Sequence, residues 1–75
     1  MRETHEKILD YITGYMLEHS YAPTTREIAA GTGYGSTSTI NGHLRCMKAA
    51  GMIDFVDGSP RTITVPGYQY GRVGL

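Results

Sequence analysis

Seventy-five residues, 40% of them hydrophobic, make one small domain whose stability must come from an apolar core, because the single cysteine, Cys46, closes no intrachain disulfide. No apolar run approaches the ~20 residues of a membrane span. Neither a signal stretch nor a cysteine cluster is present, so a cytoplasmic protein without metal or cofactor is expected. Seven Lys and Arg balance seven Asp and Glu, and a zero net charge by itself argues against a polyanionic partner.

From Thr4 to about Glu18, Ile8, Leu9, Ile12, Tyr15 and Met16 recur at i, i+1, i+4, i+7 and i+8. That spacing predicts one apolar face of an amphipathic helix, weakened but not broken by Gly14. The helix should end within His19-Ser20-Tyr21-Ala22-Pro23, since the residue before a proline resists helical angles. Thr24-Thr25-Arg26-Glu27 then reads as a capping box opening a short second helix through Ile28, Ala29 and Ala30. Gly31 and Gly33 bring it to a turn.

Ser36 is placed to cap a third helix running to about Ala50, with Gly51 as its stop and Ile40, Leu44 and Met47 as its inward stripe. After Gly51 the period changes to two. Residues 53–56 and 61–65 alternate around the turn signal Asp57-Gly58-Ser59-Pro60, which predicts a β-hairpin. The fold class is therefore mainly α with a small β-hairpin, a three-helix winged helix-turn-helix. Residues 1–66 form the domain, and 67–75, with three glycines, a flexible tail or linker.

Charge is unevenly spread. Residues 1–35 carry a net −2 and residues 36–75 a net +2, and no carboxylate occurs between Ile28 and Ile53. An acid-free stretch suits a surface facing phosphates, although chance in an acid-poor chain would also produce one. On a helical wheel Ser38, Asn41, Gly42, Arg45 and Ala49 lie opposite the inward stripe. Short hydrogen-bonding side chains near a helix N-terminus can reach base edges in the major groove, with cations further along meeting the backbone. Asn41 could pair with an adenine edge, Thr37 or Thr39 could touch a thymine methyl, and Gly42 would permit close approach.

An ordinary solvated helix face would favour Glu and Lys. Here five of the six residues from Ser36 to Asn41 are Ser, Thr or Asn, all poor interior helix formers. Thr24, Thr25 and Arg26 open the second helix, where free amides favour a phosphate as readily as they accept a cap. Lys48 continues the basic side of the third helix. Arg61, on the far side of the turn, is either a wing contact to phosphate or minor groove, or a plain surface charge.

His5, His19 and His43 share no metal-ligand spacing; His43 and Cys46 read as packing residues. No carboxylate lies near a serine–histidine pair to orient a base, and the glycines match no phosphate loop, so no enzyme is expected. Tyr68 and Tyr70 in the tail are a contact point for a partner protein in the competing reading.

These segments resemble the N-terminal DNA-binding domain of LexA-type repressors from roughly Ile8 to Val65. Ile8-Leu9-Asp10-Tyr11-Ile12 is similar to that family's first helix, and Tyr21-Ala22-Pro23-Thr24-Thr25-Arg26-Glu27-Ile28 to the opening of its second. Ser36 to Leu44 resembles its recognition helix in the version with Gly-His-Leu. Gly51-Met52-Ile53 and Pro60-Arg61-Thr62-Ile63 resemble the two sides of its wing. The resemblance implies binding of double-stranded DNA at a palindromic operator, with Ser36, Ser38, Thr39, Asn41 and Gly42 nearest the bases and the wing with Arg61 along the backbone or minor groove.

Asn41 stands where this version often has histidine, which implies a different preferred operator. LexA repressors also continue into a Ser-Lys autopeptidase domain that dimerises them, and Gly71-Arg72-Val73 resembles the linker before it. The chain is then a repressor headpiece or a small free-standing regulator, with a homodimer on DNA or a partner protein both open. The alternative is a winged-helix protein-interaction module without sequence-specific DNA binding.

Overall fold

Ile8, Ile12 and Met16, one helical face at spacing four, are all fully buried, and around them the first helix, α1, forms over Arg2–His19. Each such side chain contributes ~1.5–3 kcal/mol by leaving water. In this computed structural model residues 2–59 and 61–66 are described. The expected tail 67–75, with Tyr68 and Tyr70, and Pro60 of the expected turn lie outside the described residues. Helix α1 ends where Ser20 adopts a left-handed backbone, φ 67°, with its amide bonded to the Met16 carbonyl.

Helix α2 spans Thr25–Thr32 behind a complete capping box: the Thr24 hydroxyl accepts from the Glu27 amide, and the Glu27 carboxylate accepts from the Thr24 amide. Gly31 lies inside this helix rather than at its turn. Gly33 ends it at φ 84°, a left-handed conformation glycine adopts without penalty. Thr32 is buried, and its hydroxyl donates to the Ile28 carbonyl.

Helix α3 covers Thr37–Ala49, capped by the Ser36 hydroxyl accepting from the Thr39 amide. Its inward stripe is the expected one: Ile40, Leu44 and Met47 are buried. Helix α2 packs against both α1 and α3, and the core closes with Ala22, Ile28 and Ala29 from the middle and Ile53 and Ile63 from the wing.

The wing is shorter than its alternation predicts. Two strands were expected over 53–56 and 61–65; among the described residues a single antiparallel bridge forms, Asp54 to Thr64, with hydrogen bonds of 2.9 and 2.8 Å. A side chain takes the amide that the next ladder pair would need: Val56 N–H donates to the Thr62 hydroxyl at 2.9 Å, while Phe55 N–H, which points away from the return segment, donates to the Asp54 carboxylate at 2.8 Å. Arg61, at φ 59°, turns the return segment out of extended geometry. Ile53 and Ile63 still face the core, so the register follows the hydrophobic pattern.

Candidate nucleic-acid interface

Seen from outside, α3 presents Ser38, Asn41, Gly42, Arg45 and Ala49, all exposed, on the side opposite its buried stripe. Between α3, the start of α2 and the wing runs a groove of about 400 Å³. Thr24, Thr25 and Arg26 form one wall, Thr37 and Asn41 belong to the α3 side, and the segment Phe55–Ser59 borders the wing side. The Thr25 hydroxyl donates to Asn41 Oδ1 at 3.5 Å, a long bond that ties the α2 start to the outer face of α3. Ser36 and Thr39 are linked through the helix cap instead. Thr39 lies on the helical strip of His43 and Cys46, not the one lining the groove.

The cations divide into two kinds. Arg26 is exposed and has no hydrogen-bond or ion-pair partner among the described residues. Arg45 stands 3.9 Å from Asp57, with both side chains about two-thirds exposed (69% and 67%), so solvent leaves this contact little strength. Lys48 is engaged: its ammonium donates to the Phe55 carbonyl at 2.8 Å, lies 3.5 Å from Asp54 and covers the Phe55 ring.

Arg61 is engaged most of all. Nη1 and Nη2 make a two-pronged contact with Glu27 at 3.1 and 3.0 Å. Nη1 also reaches the Ala22 carbonyl at 3.1 Å and the Tyr15 hydroxyl at 3.2 Å, and the guanidinium lies over the Tyr21 ring. A left-handed backbone at a residue with a Cβ costs about 1–3 kcal/mol, which these contacts offset. The guanidinium, with the Thr24 amide, holds the Glu27 carboxyl down to about 2, and Glu27 in turn raises the already high pKa of Arg61.

Sequence reasoning missed this junction. Glu27 is visible in the sequence as a capping residue and Arg61 as a wing residue, but nothing local connects positions 34 apart. It also overstated the acid-free surface. Once the wing folds back, Asp54 and Asp57 stand against the two cations of α3. His43 is half-buried, edge-on to His5 at 5.4 Å and beside Tyr34, in keeping with a packing role. Cys46, by contrast, is exposed.

Comparison with known proteins gives a consistent answer. Residues 2–62 match the family model of the LexA DNA binding domain. The chain is 37% identical over 65 residues to LexA repressor 1 of Nocardia farcinica, covering 87% of this chain and 30% of that protein. It is 40% identical over 58 residues to the LexA repressor of Ligilactobacillus salivarius, covering 77% and 28%. With the LexA repressor of Marinobacter nauticus identity is 40% over 60 residues, covering 80% and 30%. The chain thus spans less than a third of the length of these relatives.

Proposed function

Because the chain belongs to the LexA DNA-binding domain family, we propose that it binds double-stranded DNA sequence-specifically and represses transcription by occupying a promoter. The observation that carries this reading is the exposed face of α3. It combines short polar side chains at its N-terminal end, a bare backbone at Gly42 and no carboxylate along the helix. Ser36, Ser38, Asn41 and Gly42 read base edges in the major groove, with Thr39 reaching them from the flanking strip, and Asn41 is able to donate and accept at once against adenine. Thr24, Thr25, Arg26 and Arg45 meet phosphates on either side and fix the register. Lys48 adds positive potential from behind while bracing the wing.

One copy engages one half-site. Two copies on a palindromic operator, held together as a homodimer, bind far more tightly than either alone because the second contact becomes intramolecular. The test is selection of bound sequences from a random duplex pool at moderate salt. Enrichment of a half-site or a palindrome is expected; a flat pool from folded protein overturns the reading and leaves the protein-interaction module.

A further inference from the structure

Arg61 is the wing's only cation among the described residues, and the DNA-binding reading gives it an obvious task as a phosphate contact. Its geometry gives it another. Among the described residues the wing has one backbone bridge, Asp54 to Thr64, and side-chain links from Thr62 to Val56 and Ser59, so its position over the groove depends on the burial of Ile53 and Ile63 and on attachments to the helices. On the outgoing side that attachment is Lys48 to the Phe55 carbonyl. On the return side it is Arg61, which reaches α1 through Tyr15, the α1–α2 turn through the Ala22 carbonyl, and α2 through both oxygens of Glu27. The carboxylate that receives it also closes the α2 capping box, so one group fixes both the groove wall at Thr24–Arg26 and the wing opposite.

We infer that Arg61 is a positioning residue that locks the wing to the start of α2 and so sets the width of the recognition groove, with its guanidinium turned into the domain rather than toward DNA. The inference rests on the DNA-binding reading for its consequence but not for its geometry. A two-pronged contact requires the planar guanidinium, and lysine, a point charge, does not reproduce it. A phosphate contact requires only the charge. The two roles therefore respond in opposite ways to the same substitutions.

The test uses the full chain with Arg61→Gly, Arg61→Lys and Glu27→Gln. Glycine relaxes the left-handed backbone while removing the side chain, and glutamine still completes a capping box. In free protein, hydrogen exchange at the Asp54 and Thr64 amides is expected to quicken about tenfold or more in all three variants, with the Leu44 and Met47 amides unchanged. On the selected duplex, all three should weaken binding while the slope of log affinity against log salt stays at the wild-type value. Loss of a phosphate contact would instead lower that slope by about 0.9 in Arg61→Gly, spare Arg61→Lys, and strengthen binding in Glu27→Gln by releasing the guanidinium. That pattern, or unchanged exchange at Asp54 and Thr64, overturns the inference. Should the wild-type chain bind no duplex, the DNA reading fails while the exchange measurement still decides the lock.

Discussion

The Lys48 ammonium lies 2.8 Å from the Phe55 carbonyl oxygen and 4.6 Å from the centre of the Phe55 ring. One side chain from the last turn of α3 thus satisfies a wing carbonyl and covers the aromatic that packs the wing onto the core. Lys48→Ala removes both effects and is expected to cost about 1 kcal/mol, because the group is partly exposed. For a domain of this size that lowers Tm by roughly 4–8 °C. Lys48→Met, which keeps the aliphatic stem over the ring, should recover part of the loss in the same thermal melt.

The Glu27 carboxyl predicts a particular acid sensitivity. Its folded-state pKa is pressed from 4.5 to about 2, so it binds a proton more weakly folded than unfolded. The stabilisation it brings is complete above pH 4.5 and disappears as pH falls toward 2. Denaturant unfolding across that window should show wild type and Glu27→Gln converging at the acid end and separating as pH rises. A gap that stays constant with pH would remove Glu27 from the account.

On the interface, Asn41→Ala should reduce discrimination at one base position by ~1–3 kcal/mol and leave non-specific affinity nearly intact. Arg45→Ala should weaken all sequences alike and reduce the salt slope. Asp57→Asn, which frees Arg45 from its exposed partner, should tighten binding to every duplex slightly. Competition binding with matched and mismatched duplexes at two salt concentrations separates these effects. Equal effects of Asn41→Ala and Arg45→Ala on every sequence would contradict the roles assigned to α3.

Gly31 tests the packing of α1 on α2. A Cβ there would run into the Tyr11 ring, so Gly31→Ala must displace an aromatic that also packs against Tyr15. A loss of about 1–3 kcal/mol is expected despite alanine's better helix propensity. Pairing it with Tyr11→Leu should return part of that loss, measured by denaturant unfolding as a double-mutant cycle.

What the sequence made legible was local. The Thr24–Glu27 box, the Ser36 cap and the Ile40–Leu44–Met47 stripe are each written in steps of three or four residues, and each has its expected place in the fold. Gly31 misled because glycine reads as a stop, whereas here it makes room for Tyr11. The wing was legible in register but not in length, because its alternation does not reveal that the Thr62 hydroxyl takes the Val56 amide from the ladder. Tertiary electrostatics was least legible. Asp54 and Asp57 lie beyond the end of α3 in sequence yet fold back beside Lys48 and Arg45, and Arg61 finds Glu27 across the whole helix-turn-helix.

Gly42 occupies the middle of the exposed face of α3, and a side chain there would meet nothing within 4 Å. Alanine at this position would strengthen the helix by ~1 kcal/mol with no steric obstacle inside the domain. Selection for heat resistance alone should therefore fill the position readily, and selection for DNA binding should empty it again. In a population of variants, the residue at 42 would then record which of the two pressures the chain has been under.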